Sequence, residues 1–168
     1  MKTAKRLLAL ALAGVMALAL LTGCSDSSSK AKQVEEYFRY RMGRNTNYQK
    51  DETLDKKFEV IAQQFQRSWL NDEAGGLTEE AQNIIKNELS DYLVTGSVRL
   101  WVGEVKPGQS ALAQAESMKY SQRIEIAPLA SGTSTLQAIA FTMTGKKSDG
   151  HRYYLALETN ATINTPRT

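Results

Sequence analysis

Residues able to do acid–base or nucleophilic chemistry are few. The 168-residue chain holds one histidine, His151, and one cysteine, Cys24. A single histidine cannot supply the cluster of a zinc or iron site, and the acidic residues show no calcium-loop spacing, so no metal or cofactor is expected. Ser148-Asp149-Gly150-His151 puts hydroxyl, carboxylate and imidazole inside one tight turn. Triad members normally come from separate segments, because base and nucleophile must meet with the third group behind the base. His151 therefore reads as a solvated residue at a strand start. Glu79 and Glu80 are neighbours, and adjacent helical residues do not face each other. They follow Thr78, which reads as a helix cap, and the helix dipole favours negative charge in the first turn. Gly75-Gly76 lacks the Lys-Ser/Thr of a phosphate loop and precedes two glutamates that would repel phosphate. Glu125 and Glu158 are left, at strand positions alternate to the apolar ones. A base there would need a raised pKa, and no spacing demands it.

The cysteine has a different context. Lys2, Lys5 and Arg6 form a basic start, and Leu7 to Leu21 is an apolar run of fifteen residues. A spanning helix needs roughly 20; a basic end, a short apolar middle and a small-residue exit describe a secretory signal. Leu21-Thr22-Gly23-Cys24 closes the run. This resembles the bacterial lipoprotein signal, whose Leu-x-Gly-Cys box it matches. The resemblance covers the first 24 residues. It implies that the Cys24 sulfur carries a diacylglycerol, that the chain is cut before Cys24, and that the new amine is open to acylation. Two or three acyl chains at about 0.8 kcal/mol per buried CH2 hold stably where one holds only marginally. Acylation also gives a reason for an odd cysteine in an exported chain. The implied location is a cell membrane, lipid-anchored on the extracytoplasmic side. Whether that membrane is inner or outer stays open.

The signal changes the charge balance. The whole chain is +3, with 21 basic and 18 acidic residues. Lys2, Lys5 and Arg6 all lie in the leader, which leaves 18 basic against 18 acidic, formally zero. A nucleic-acid partner would need a surviving basic patch, and no such run is visible. Removing 23 of 168 residues leaves 145, the size of one domain with one core. The expected division is a signal peptide over 1–23, a lipidated cysteine with a flexible polar tether over 24–31, and a single domain over 32–164.

The elements that must position any site follow from periodicity. Val34, Tyr37, Phe38 and Met42 predict a helix over Lys32 to Met42, stopped by Gly43. Leu54, Phe58, Ile61, Ala62, Phe65 and Trp69 form one stripe capped by Asp51 or Thr53 and ended by Gly75-Gly76. Ala81, Ile84, Ile85, Leu89, Tyr92 and Leu93 give a third helix, ended by Gly96. From Ser97 the period becomes 2, with Val98, Leu100 and Val102 up to Pro107-Gly108. An Ala-rich stretch, Ser110 to Ser117, predicts one or two helical turns. A strand over Met118 to Ile126 follows, then Thr133 to Thr144, apolar on both faces and so expected to be central. After a polar turn, the last strand runs from His151 to Ala161.

The predicted fold class is α+β: three helices followed by a four-stranded antiparallel meander, with the helices packed on one face of a curved sheet. This order looks like the nuclear transport factor two-like fold, with a cystatin-like sheet as its nearest rival. The resemblance spans Lys32 to Ile163 and rests on element order. Enzymes of that fold place an acid or base inside a cone, where Tyr120, Ile124, Phe141 and Leu155 are the expected inward residues here. Trp101 shares a strand face with Arg99, and Tyr154 with Arg152. These four are the candidate binding surface for an envelope protein or glycan, although Trp101 is also expected to cover the core from the far side of the sheet. The leading expectation is a membrane-tethered envelope lipoprotein with a non-enzymatic binding or assembly domain that presents its open sheet face or cone mouth. The rival is a small pocket enzyme using carboxylate and tyrosine. A two-lobed solute carrier ranks below both, because 145 residues are too few.

Overall fold

The structure, a computed structural model, describes residues 28–164 apart from 45, 74, 121–122 and 129–133. The signal segment and Cys24 lie outside the described residues, as does the side chain of Tyr120.

The protein is α+β, with helices packed against an antiparallel sheet, as expected. Helix α1 covers 28–42 and ends where the Gly43 N–H donates to the Arg39 carbonyl at 2.7 Å. It takes in 28–31, which were expected to be tether. Ala31 packs with the α1 core residues, and each added turn residue gains a hydrogen bond once the helix is nucleated. Helix α2 (Glu52–Gln64) is capped by Asp51, whose Oδ1 accepts from the Leu54 N–H at 2.7 Å. The apolar stripe continues past its end. A 3-10 turn (Arg67–Trp69) and a short hairpin, β1 (Leu70–Asn71) and β2 (Gly76–Leu77), carry the chain where a longer helix was expected. Phe65 and Trp69 stay buried, with ring centroids 5.7 Å apart. Thus the period survives the loss of helix because the residues still line one core.

Helix α3 (Glu79–Leu89) starts at Thr78, whose hydroxyl accepts from the Ala81 N–H. It ends before Tyr92 and Leu93, which the apolar stripe assigns to it. Strand β3 runs Leu93–Glu104. Gly96, expected as a helix stop, lies inside β3 at φ +111, where the register against a neighbouring strand shifts. An added Cβ there would stand 2.4 Å from the Asn160 carbonyl oxygen. Glycine in a strand often marks such a bulge and close approach. The Ala-rich stretch forms α4 (Ala111–Ser117). Strands β4 (Lys119–Tyr120) and β5 (Ile124–Ala127) both pair with β3. Strands β6 (Leu136–Met143) and β7 (Tyr153–Ile163) complete the sheet.

Strand order refines the expected meander. Along the sheet it is β4-β3-β7-β6, with β5 also on β3. Two hairpins are joined through a long β3–β7 pairing from Leu93↔Ile163 to Glu104↔Tyr153. Strand β6 is therefore paired with one strand, not central. Its two apolar faces reported burial above and below, and they carry no information on lateral neighbours. Gln49 covers part of its free edge, bridging to Ala138 and donating its N–H to the Gln137 carbonyl at 2.8 Å.

Both sheet faces are covered, where helices on a single face were expected. On one, Val98, Leu100, Leu155 and Leu157 pack with α2 and α3. On the other, Ile139, Tyr154 and Ala156 pack with Val34 and Phe38 of α1 and with Ala111 and Ala115 of α4. The sheet is thus the middle layer of three, and the expected open face is closed. The predicted inward set divides accordingly: Ile124 and Leu155 lie on the α2–α3 side, Phe141 on the α1–α4 side.

Candidate functional site

Two polar assemblies stand at the margins of these layers. The first is a cleft of about 390 Å3 at the ends of β3 and β7, roofed by the β1–β2 hairpin. Arg67, Asn71 and Asp72 line one wall; Glu104, Lys106, Ser117 and Lys119 line the other, with Tyr153 between. Strand pairing puts Glu104 opposite Tyr153 and so brings His151 near. The His151 Nδ1 lies 2.8 Å from Glu104 Oε1. Asp149 belongs to the turn closed by Gly150 (φ +84). It accepts the His151 backbone N–H at 2.8 Å and the Tyr153 hydroxyl at 2.6 Å.

The electrostatics follow from those bonds. Burial and the hydrogen bond to Asp149 push the Tyr153 phenol up to about 12. The same hydrogen bond, then the His151 N–H, holds the Asp149 carboxyl below its usual range. Asp72 accepts both hydrogen bonds of a forked contact from Arg67, at 2.6 and 2.8 Å. The ammonium groups of Lys106 and Lys119, both exposed, make no hydrogen bond or ion pair among the described residues. The cleft thus presents two uncommitted cations beside carboxylates already engaged. The Ser148-Asp149-His151 turn forms no triad: the imidazole turns to Glu104, and Asp149 accepts from the His151 main-chain N–H and the Tyr153 hydroxyl instead of from the imidazole.

The second assembly lies on the α1–α4 side and contains three of the residues singled out from sequence, Arg99, Trp101 and Glu158. Arg99 and Trp101 sit on one face of β3, paired with Glu158 and Ala156 of β7. Glu158 is half-buried. One carboxylate oxygen accepts from the Tyr48 hydroxyl at 2.8 Å, the other from Trp101 Nε1 at 3.0 Å. Trp101 also packs edge-on against Phe38, centroids 5.6 Å apart, and lies 5.4 Å from the Arg41 guanidinium. Its expected role of covering the core from the far side is the one it has. Beside it, Ser97, Arg99, Arg123, Glu158 and Asn160 line a hollow of about 120 Å3.

Tyr154 corrects the predicted surface. It is 1 % exposed and sits among Ile139, Ala156 and Phe38, so it presents nothing to a partner. Strand alternation puts it beside exposed Arg152 on an outward face, but α1 covers that face. Glu125 is exposed as expected, whereas Glu158 is held by Tyr48 and Trp101. Glu104, Arg67, Lys106, Lys119 and Tyr48 carried no sequence signal of a site. Only the β3–β7 pairing reveals that Glu104 meets His151, since 47 positions separate them in the chain.

Among the described residues no group of three or more His, Cys, Asp or Glu is placed to hold a metal ion. No described helix is long and apolar enough to cross a membrane. Compared with family models, with curated proteins and with solved structures, the chain matches none.

Proposed function

We propose that the chain is a cell-envelope lipoprotein, held on the extracytoplasmic side of a cell membrane by acyl chains on Cys24, with a non-enzymatic binding or assembly domain. The Leu21-Thr22-Gly23-Cys24 box supports the anchor. The observation that carries the binding role is the cleft under the β1–β2 hairpin. Its carboxylates Asp72 and Glu104 are engaged by Arg67 and His151, while Lys106 and Lys119 are left to meet an acidic group on a protein or glycan partner. Reversing both lysines (K106E/K119E) in the lipidated protein tests it. The expected outcome is loss of an envelope partner captured by the wild type, with thermal stability unchanged. Equal capture by both proteins counts against the cleft, and a bare thiol with an intact leader by mass spectrometry removes the anchor.

The pocket-enzyme reading draws on one observation, the His151–Glu104 contact beside the Tyr153–Asp149 pair. It is weaker because Asp149 is held ionised and below its usual range, the opposite of a carboxylate tuned to take a proton near neutrality. Turnover by the wild type that disappears in H151A would favour it.

A further inference from the structure

Helix α1 combines three properties that together point outward from the domain. The first is proximity. Between Cys24 and the first described residue of α1, Ser28, lie only residues 25–27. Four residue steps reach at most roughly 14 Å, less than the roughly 25 Å that a seven-residue tether would allow. The second is aromatic exposure. Tyr40 is 70 % and Tyr37 45 % exposed, whereas Val34 and Phe38 of the same helix are buried. Exposed Leu112 belongs to α4, which packs on the same side of the sheet. The third is charge. Residues 28–44 carry Lys30, Lys32, Arg39, Arg41 and Arg44 against Glu35 and Glu36, a net +3 within a mature chain that sums to zero. Arg39 is paired with Glu35, and Arg41 turns inward to the Ala115 carbonyl. Lys30, Lys32 and Arg44 remain, the last 5.7 Å from the Tyr40 ring centre.

Resting on the lipid anchor proposed above, we infer that the outer face of α1 is a bilayer-docking surface: Tyr37 and Tyr40 enter the headgroup region while Lys30, Lys32 and Arg44 meet anionic lipid. Tyrosine favours this depth because its ring is apolar and its hydroxyl is wet. Basic residues close to an anionic leaflet are drawn to it electrostatically, within about a Debye length of the surface. The acyl chains keep α1 at the surface, so this contact is intramolecular in effect and needs little affinity of its own. Its consequence is orientation. The α1–α4 side faces the membrane, and the cleft at the strand ends is carried at a fixed attitude to it.

The test uses lipidated Tyr40→Trp protein in vesicles of phosphatidylglycerol and phosphatidylcholine whose acyl chains are brominated near the headgroup. The expected result is quenching of the introduced indole's emission beyond that of Trp69 and Trp101 in the wild type. The extra quenching should disappear in all-phosphatidylcholine vesicles and in a K30E/K32E/R44E background. Protein that floats with the vesicles while the introduced indole is quenched no more than the native tryptophans overturns the docking surface and leaves the anchor standing. Protein that does not float and shows a bare Cys24 thiol by mass overturns both.

Discussion

Glu158 ties three segments together, and its substitutions should separate a structural clasp from a reactive carboxylate. Its two oxygens each accept one hydrogen bond, from Tyr48 in the α1–α2 loop and from Trp101 in β3. Glu158→Leu removes the carboxylate acceptor of both donors, with the Thr46 side chain left as a second contact of the Tyr48 hydroxyl. A buried donor left unpaired costs about 1–3 kcal/mol, and half-burial places each at the low end. Loss of the cross-strand partner of Arg99 adds about 0.2–1 kcal/mol. The expected destabilisation is therefore about 2–4 kcal/mol. Glu158→Gln behaves differently. Indole N–H can only donate, so the amide oxygen must turn to Trp101, and the Tyr48 hydroxyl can accept from the amide nitrogen. Both contacts survive as neutral bonds, and the cost falls to about 1 kcal/mol. Urea unfolding followed by tryptophan fluorescence reads both values. A third variant makes the test strict: adding Tyr48→Phe to Glu158→Leu removes one of the two donors, so the double change should cost about 1 kcal/mol less than the sum of the singles. A Glu158→Leu protein within about 0.5 kcal/mol of the wild type, a value typical of inert surface changes, would refute the clasp. So would Glu158→Gln as damaging as Glu158→Leu.

Other expectations can be read by simple assays. Gly96→Ala should cost about 2–5 kcal/mol, because φ +111 strains an alanine and its Cβ would meet Asn160 and Ala161 of β7. Gly75→Ala, at φ +67 with nothing within 4 Å, should cost about 1–2 kcal/mol; equal losses on thermal melting would refute the close approach. Lys147 donates to the Ala62 and Gln63 carbonyls, at 2.9 Å each, at the end of a helix with no basic residue in its last turn. Lys147→Met should cost about 1 kcal/mol, against no change in melting temperature if that contact is idle. Tyr48 and Tyr153 titrate near 12, Tyr48 through burial first and then Glu158. An unfolded phenol titrates near 10, so the stability these groups contribute is complete below about pH 10 and lost as pH rises through about 12. Ultraviolet absorbance should show at least two tyrosinate steps; one step near 10 contradicts the burial.

How much of this was legible depends on which interactions periodicity records. The stripe from Leu54 to Trp69 gave the buried face but not the helix end at Gln64, since a 3-10 turn and a hairpin can present the same side chains to one core. Leu93 and Tyr92 fit a helical stripe and a strand equally well, and the pairing of β3 with β7 decided for strand. The capping residues Asp51, Thr78 and Ser110 were readable or nearly so, because a cap bonds within three residues of itself. Contacts such as Tyr48 to Glu158 or Glu104 to His151 need a strand order, and alternation along a strand does not supply one. The Arg99–Trp101 face was found from sequence for that same local reason. Tyr154 was misplaced because the helix that buries it stands more than a hundred positions away.

The covered sheet changes where recognition can occur. In a two-layer protein one sheet face is free, and exposed aromatics there would be the natural docking residues. Here α1 and α4 occupy that face: Phe38 packs on Trp101, and Arg41 reaches the Ala115 carbonyl. The cleft of the proposed binding role lies instead at the rim, where β3 ends and β7 begins. Lys106 and Lys119 lie on that rim, beside a hairpin braced by Arg67 and Asp72. Of the β1 and β2 side chains only Leu70 and Leu77 reach the core, whereas Arg67 and Asp72 brace the hairpin from its exposed side. Loosening the brace with Asp72→Ala should therefore alter capture of a partner while shifting the melting temperature by less than about 2–4 °C, the change expected for 1 kcal/mol in a chain of this size. A large loss of stability instead would make the hairpin part of the core and remove the argument for an adjustable rim.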